Sequence, residues 1–340
     1  MSATLDTRID QRNRTPLQDV IPLETPFVLF LDPSSRCNFR CNFCPTGNKE
    51  LLKTSSRQNV LLDYDLFTKI IDDLEKFDGQ LKVLRLYKDG EPFLNPRLAD
   101  MVRYAKQSNK ILSVDTTTNG SLLTPERALP VAEAGIDQIN ISLDGMSDEQ
   151  FKDFTHTKVD FARYRENIKT LYENRGDCNI LIKTVKEILT PDTEKLFFEY
   201  FSPIADKIFV EHVAPCWPEF DVLEKIDASL ETGIYGQPIA SVDTCPYVFY
   251  SMSINADGRA SVCFLDWKHD LIVGDANTED VKAIWNSDAM NRYRLDFLKG
   301  ERQHMPFCKD CMQLAYGMAD NIDEFRDALY EKVSQHAGLV

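Results

Sequence analysis

The chain has 340 residues, of which 43% are apolar and 27% charged, and its formal net charge is −15 at pH 7. This length suits one large α/β domain with a small one, and the composition is that of a globular protein. No Lys/Arg-rich stretch offsets the negative charge, which argues against a nucleic-acid partner. No apolar run approaches the roughly 18 residues that span a bilayer, and the polar N-terminus lacks a secretory signal. We therefore expect a cytoplasmic protein with no membrane partner.

From residue 27 to about residue 215, predicted strands alternate with predicted helices. Apolar side chains within residues 67–77 recur at the spacing of one buried helix face. Thr124, Pro125 and Gly135 mark the N-cap, the first turn and the C-terminal stop of another helix. Six strands are predicted at residues 27–31, 83–87, 113–117, 138–142, 180–185 and 208–212. Repeated βα units predict a partial (β/α)6 barrel of the TIM type, with functional residues at the carboxyl ends of its strands.

The pattern changes after Pro215. Residues 216–243 are irregular and include an acidic stretch, and we interpret them as a connector. Two β-rich runs between residues 248 and 267 flank the sequence Asn-Ala-Asp-Gly at 255–258, which predicts a β-hairpin. Helices are predicted near residues 279–287, 288–298 and 321–336. The C-terminal part is thus expected to be a small domain with a hairpin and helices.

Cysteines are concentrated in two groups. Cys37, Cys41 and Cys44 form a C-x3-C-x2-C loop directly after the first predicted barrel strand, and Phe43 precedes the last of them. In a reducing compartment, clustered thiols indicate a metal site rather than disulfides. Three thiolates on a four-iron cubane leave one iron open to an amine and a carboxylate of a small molecule. The alternative is a zinc site with a fourth ligand from elsewhere.

This loop and the motifs after the next strands resemble the radical S-adenosylmethionine (SAM) superfamily, over about residues 25–315. Gly90-Glu91-Pro92 is similar to the GGEP element of that family, with Asp89 where the first glycine is usual. The resemblance implies a [4Fe–4S] cluster on the three cysteines whose open iron chelates SAM. It further implies a 5′-deoxyadenosyl radical that takes a hydrogen atom from the substrate.

The resemblance also implies which side chains contact SAM or shield the cluster. The Glu91 carboxylate would accept hydrogen bonds from the SAM ammonium, and Ser142 would direct its hydroxyl at the ribose or carboxylate. Turn chemistry is the alternative for Asn119 and Ser142, and a solvent-facing side chain is the alternative for Lys183. The expected cofactor-binding residues are Phe43, Gly90, Glu91, Pro92, Asn119, Ser142 and Lys183.

A second group of cysteines lies near the C-terminus and resembles the start of a SPASM domain. Residues 312–340 lack the further cysteines of a complete SPASM domain. The resemblance therefore implies the shortened twitch arrangement, with one auxiliary [4Fe–4S] cluster, and a zinc ion is the alternative. The expected ligands are Cys245, Cys263, Cys308 and Cys311.

The resemblance implies a radical SAM oxidoreductase that acts on a polar small molecule, such as an aminocyclitol, sugar or nucleoside-type alcohol. The auxiliary cluster would accept the second electron, and flavodoxin or ferredoxin would donate the first. The alternative is an epimerase of the same substrate class with Cys216 as hydrogen donor, although a buried structural thiol explains Cys216 equally simply. Glu211 and His212, at the end of the sixth strand, are candidates for acid or base. A non-catalytic iron–sulfur or zinc protein is a third hypothesis.

We expect five segments along the chain. They are an N-terminal extension (1–24), the radical SAM partial barrel (25–215), the connector (216–243), the twitch/SPASM-like domain (244–315) and a C-terminal helix (316–340).

Overall fold

One sheet runs through the computed structural model, which describes residues 3–9, 13–227 and 230–338. The predicted N-terminal extension and connector each include residues outside these ranges. The strands of the sheet are β1 (Thr4–Leu5), β2 (Val28–Leu31), β3 (Val83–Arg85), β4 (Val114–Thr118), β5 (Gln138–Ser142), β6 (Asn179–Val185), β7 (Lys207–Glu211), β8 (Ser251–Ile254), β9 (Arg259–Ser261) and β10 (Ile272–Asp275).

The predicted barrel is confirmed: β2 to β7 match the six predicted strands, and neighbours pair in parallel. The spatial order is β1-β7-β6-β5-β4-β3-β2-β8-β9-β10. Parallel pairing places the carboxyl ends of all six strands at one end of the sheet, where barrel enzymes carry their active sites.

Helices follow most of the barrel strands and cover the sheet. The structure has α1 (Leu17–Val20), α2 (Lys49–Leu52), α3 (Tyr64–Asp73), α4 (Leu98–Gln107), α5 (Pro125–Glu133), α6 (Asp148–Thr155), α7 (Phe161–Glu173), α8 (Pro191–Phe201), α9 (Tyr247–Tyr250), α10 (Val281–Trp285), α11 (Asp288–Leu298), α12 (Gln313–Tyr316) and α13 (Arg326–His336). Within the described ranges, no helix is both long enough and apolar enough to cross a membrane.

Local sequence explains where α3 and α5 begin and end. The Asp63 carboxylate accepts hydrogen bonds from two backbone N–H groups of the first turn of α3, and this helix buries the predicted apolar face. Helix α5 begins at Pro125 and is followed by Gly135, whose φ of +91° favours glycine. Thr124 occupies the predicted N-cap position, but its side chain makes no capping hydrogen bond.

The predicted hairpin is present, and it does not form a separate sheet. Strands β8 and β9 are antiparallel and meet at residues 255–258, and β10 pairs with β9. Strand β8 also pairs in parallel with β2 over the whole of Val28–Leu31. The cysteine-rich region thus extends the sheet of the barrel.

The N-terminal extension is also part of the barrel. Strand β1 pairs in parallel with β7, with Thr4 opposite Lys207 and Leu5 opposite Ile208. Arg14 donates a hydrogen bond to the Met318 carbonyl and forms an ion pair with Asp320. The segment therefore runs from the open edge of the barrel to the C-terminal region.

Candidate functional site

A cavity of about 640 Å³ lies at the carboxyl ends of the barrel strands. Side chains from the barrel, the N-terminal extension and the C-terminal region all line it. The predicted site residues on its wall are Cys37, Phe43, Cys44, Gly90, Ser142, Lys183, Glu211, His212 and Cys216. The barrel thus brings residues that are far apart in sequence to one cavity.

The three-cysteine loop follows β2 and is anchored by backbone hydrogen bonds just before Cys37 and just before Cys41. The Glu91 N–H donates to the Arg36 carbonyl at 2.8 Å, and the Arg40 N–H donates to the Thr155 carbonyl at 2.9 Å. At Gly90, an added Cβ would collide with the carbonyl oxygens of Ser34 and Arg36, so this close approach requires glycine. The GEP loop therefore holds the cysteine loop by backbone contacts.

The thiols of this loop are close enough to influence one another. Burial and the charge of Glu91 raise the pKa of Cys37 to about 12, and the Cys44 thiol adds to this. Burial also raises the pKa of Cys41, followed by Asp144 and the other two thiols. Coordination to iron removes the proton that these thiols otherwise keep. Cys37 and Cys44 line the cavity, which fits a cluster that is accessible to a small molecule.

The second cysteine group converges in the same way. Burial raises the pKa of Cys245, and Cys308 and Cys311 add to it. The pKa of Cys263 is raised by burial and then by Cys245 and Cys311. Tyr247, which follows Cys245 by two residues, lines the cavity. The four predicted auxiliary ligands therefore form one group beside the cavity wall.

Among the residues that the structure describes, no group of three or more His, Cys, Asp or Glu is arranged to hold one metal ion. A [4Fe–4S] cubane differs from a zinc site in that each thiolate binds a different iron.

Glu91 is buried, with 1% exposure, and its side chain is not on the cavity wall. One carboxylate oxygen accepts hydrogen bonds from the Phe93 N–H at 3.0 Å and the Thr118 hydroxyl at 2.7 Å. The other accepts from the Asn119 N–H at 2.8 Å. Burial raises the pKa of Glu91 to about 7, against these hydrogen bonds, which lower it. The immediate partners of Glu91 are thus the end of β4 and its own loop.

Asn119 contacts the cysteine loop. Its amide Nδ2 donates to Asn38 Oδ1 at 2.9 Å and lies 3.9 Å from Cys37 Sγ. Its Oδ1 accepts hydrogen bonds from the backbone and hydroxyl of Ser121, which is the turn chemistry expected as an alternative. The Asn119 side chain thus connects the turn after β4 to the residues that flank Cys37.

Sequence reasoning missed Asp144, which lines the cavity two residues after Ser142. Its carboxylate accepts a hydrogen bond from Cys41 Sγ at 3.5 Å, and burial raises the pKa of Asp144 to about 7. The period-two alternation that directs Ser142 into the barrel continues past the end of β5 to Asp144, and this alternation could have identified it.

Lys183 and Glu211 form a partly buried ion pair on the cavity wall, so Lys183 is not the solvent-facing side chain of the alternative interpretation. His212 Nδ1 lies 3.3 Å from a carboxylate oxygen of Glu187. Cys216 is 6% exposed, and burial, followed by the nearby Cys311 thiol, raises its pKa well above its usual range. These three candidate catalytic residues, Glu211, His212 and Cys216, therefore share one wall.

Asp89 occupies the position where the GGEP element usually has its first glycine, and it is the centre of a buried charge network. Lys88 Nζ lies 3.0 Å from its carboxylate and also donates to the Asp266 carbonyl at 2.8 Å. His269 Nε2 is 2.7 Å from the same carboxylate. Burial alone would raise the pKa of Asp89, but Lys88, Arg57 and His269 hold it well below its usual range. The network joins the GEP loop to the C-terminal region.

Two families of known proteins match separate parts of the chain. The profile of the radical SAM superfamily matches residues 31–188, which include the first cysteine group. The profile of SPASM, an iron–sulfur cluster-binding domain, matches residues 245–312, which include the second.

Curated relatives share only part of their length with this chain. A tungsten-containing aldehyde ferredoxin oxidoreductase cofactor-modifying protein of Pyrococcus furiosus is 41% identical over 116 residues, which are 34% of this chain and 30% of the relative. A GTP 3′,8-cyclase of Chlorobaculum tepidum is 38% identical over 123 residues, 36% of this chain and 34% of that protein. The chain thus spans about a third of the length of these relatives.

Solved structures resemble the chain over most of its length. BtrN in complex with AdoMet and 2-DOIA has a TM-score of 0.54 and 16% identity, covering 87% of this chain and 97% of BtrN. The structure of anSMEcpe with bound AdoMet has a TM-score of 0.57 and 14% identity, covering 92% of this chain and 97% of anSMEcpe. Streptococcus suis SuiB bound to precursor peptide SuiA has a TM-score of 0.59 and 13% identity, covering 86% of this chain and 74% of SuiB. At these identities the likeness concerns the fold.

Proposed function

From the membership of this chain in the radical SAM superfamily, with a SPASM iron–sulfur domain, we propose that it is an oxidoreductase that dehydrogenates an alcohol carbon of a polar small molecule. When bound, SAM and the clusters supply a radical that removes hydrogen and a redox centre that accepts a further electron. Cys37, Cys41 and Cys44 would hold the first cluster. Cys245, Cys263, Cys308 and Cys311 would hold the auxiliary one.

One observation carries this proposal: the auxiliary cysteines adjoin the same cavity as the first cysteine group. Tyr247, Phe264 and Gln313 each follow an auxiliary cysteine by one or two residues, and all three line the cavity with Cys37 and Cys44. A substrate in this cavity would be within reach of both sites. Such proximity is what a two-electron oxidation needs.

Protein side chains on the wall have separate proposed roles. Ser142 and the backbone of Gly90-Glu91-Pro92 would bind SAM, and Phe43 would exclude water from the cluster. Loss of the alcohol proton needs a base, and Glu211, paired with Lys183, is our candidate. His212, held beside Glu187, is the second candidate. Flavodoxin or ferredoxin would be the electron donor.

An epimerase is the second candidate function, and the state of Cys216 favours it. A hydrogen donor must keep its S–H, and burial raises the pKa of Cys216 well above neutrality. Its side chain also lines the cavity. The thiol would then return hydrogen to the face opposite to the one from which it was removed.

Two substitutions separate these reactions in the anaerobically reconstituted protein. A dehydrogenase needs the auxiliary site but no hydrogen donor, so we expect Cys216→Ser to keep most activity and Cys308→Ala to stop product formation. An epimerase with Cys216→Ser would still yield 5′-deoxyadenosine but release little epimer. The latter result would replace our proposal by the epimerase.

The assay should compare aminocyclitols, sugars and nucleosides, together with GTP because of the cyclase relatives. In deuterium oxide, an epimer carries solvent deuterium at one carbon, whereas a dehydrogenase releases a two-electron-oxidised product. Absence of SAM cleavage with every compound and with chemical reductant would favour the non-catalytic hypothesis.

A further inference from the structure

Arg8 extends from the N-terminal extension into the cavity. Pairing of β1 with β7 brings residue 8 to the barrel opening, and Arg8 lines the cavity. Its Nη1 donates a hydrogen bond to the Tyr87 hydroxyl at 3.1 Å, and its guanidinium lies 5.6 Å from the centre of the Tyr87 ring. A segment at the edge of the sheet thus contributes a cation to the interior of the barrel.

A second guanidinium converges on the same phenol. Arg85 Nη1 donates to Tyr87 Oη at 2.8 Å, and Arg85 also lines the cavity. A phenol oxygen has two acceptor positions, so these two N–H donors occupy both. The hydroxyl hydrogen of Tyr87 finds no acceptor among the described residues. Within the described residues, the Tyr87 O–H is therefore available to donate a hydrogen bond.

The charges around Tyr87 do not balance. Arg85 lies 3.4 Å from Asp115, and Lys183 is paired with Glu211. Arg8 forms no ion pair with any carboxylate in the described residues, and its Nε is buried without a hydrogen-bond partner. Of these three cations, Arg8 is therefore the one without a carboxylate partner. Arginine does not lose its proton, so within the described residues the Arg8 guanidinium remains without an ion-pair partner where burial makes its charge costly.

We propose that Arg8, Arg85 and Tyr87 bind a carboxylate of the substrate. A monoanion balances the single excess charge, whereas a phosphate monoester carries close to two negative charges at pH 7 and would overcompensate it. Guanidinium groups suit planar carboxylates because they can offer two parallel N–H donors. This inference rests on the proposed function and narrows its substrate to an acidic polar molecule, such as a sugar acid.

Binding to the reconstituted, SAM-saturated protein tests the proposal without turnover. Matched probes are D-glucose with D-glucuronate and D-galactose with D-galacturonate, and D-glucose 6-phosphate serves as the phosphate probe, all measured by calorimetric titration. We expect at least one acid to bind roughly tenfold or more tightly than its neutral partner. Arg8→Gln should weaken the binding of that acid by roughly ten- to a hundredfold, which is the effect of losing one charge-assisted hydrogen bond. The affinity for the neutral sugar should stay unchanged.

Control variants separate recognition from folding. Lys207→Gln disturbs the β1 region through its ion pair with Asp6 but lies outside the cavity wall, and it should leave acid binding unchanged. Arg8→Lys should restore part of the affinity.

Equal binding of acid and neutral probes, including no measurable binding of either, overturns the proposal. Tighter binding of the phosphate probe than of the acids also overturns it. Weaker SAM binding by Arg8→Gln overturns it as well, because that result would assign Arg8 to the SAM carboxylate. If the wild-type protein does not cleave SAM at all, the proposed function is refuted instead.

Discussion

The Glu91 carboxylate connects the GEP loop to the end of β4. It accepts hydrogen bonds from two backbone N–H groups and from the Thr118 hydroxyl. In Glu91→Gln, one oxygen becomes an NH2 group that faces these donors. We expect the free energy of unfolding to fall by about 1–3 kcal/mol, measured by urea denaturation of the cluster-free protein. Glu126→Gln, at an exposed carboxylate, is the control, and an equal effect there would contradict this role.

The affinity of the folded variant for SAM then decides the role implied by the family. If Glu91 also accepts hydrogen bonds from the SAM ammonium, Glu91→Gln should weaken SAM binding by roughly ten- to a hundredfold at unchanged iron content. Unchanged SAM affinity would restrict Glu91 to its internal hydrogen bonds.

Stability should also depend on pH through Glu91. Its folded pKa of about 7 lies above its ordinary value of 4.5, because burial disfavours the charge. The folded state therefore holds this proton more tightly than the unfolded state. The resulting contribution is complete below about pH 4.5 and is lost as the pH rises through about 7. We expect the stability advantage of the wild type over Glu91→Gln to shrink over this range; a constant difference would argue against the shift.

The loop between β3 and α4 is held by buried charges rather than by a second glycine. The Asp89 carboxylate contacts Lys88 Nζ and His269 Nε2. His269 has a φ of +59°, a strained left-handed conformation that its contact with Asp89 helps to hold. Asp89→Asn leaves the buried Lys88 and Arg57 without their carboxylate. We expect about 3 kcal/mol lower stability, because removing one partner of a buried ion pair leaves a costly charge.

The pH dependence of this element has the opposite sign to that of Glu91. The folded pKa of Asp89 is depressed, so its contribution is present above the unfolded value of about 4 and lost as the pH falls further. Asp89→Asn should lack this acid-induced loss. The control is Asp100→Asn, at an exposed ion pair with Arg97, where a change below about 1 kcal/mol is expected. Equal effects at both positions would contradict the buried network.

At the scale of the molecule, β8 makes the barrel and the cysteine-rich region one folding unit. It pairs with β2 along four residues, and the buried side chains of both regions form a continuous core. We expect a single cooperative unfolding transition, followed by tryptophan fluorescence and by far-UV circular dichroism. A chain truncated after residue 243 would expose the edge of β2 and should aggregate. A soluble fragment 1–243 with its own sharp transition would contradict this expectation.

Local patterns in the sequence determined the barrel strands, the hairpin and the two cysteine groups. Alternation and helical spacing arise from the backbone geometry of each element, and cysteine spacing is a local property of a loop. Chemistry that depends on neighbours in the chain, such as the loop of Cys37, Cys41 and Cys44, can therefore be read before the fold is known.

Only the tertiary structure decided which distant side chains meet. The contact of Arg8 with Tyr87, the ion pair of Lys183 with Glu211 and the link from Asp89 to His269 join residues with no sequence relation. The pairing of β8 with β2 is likewise non-local, and nothing in either strand specifies its partner. Charge balance and burial are sums over the whole fold, and for this reason the excess cation at Arg8 could not be predicted from the sequence.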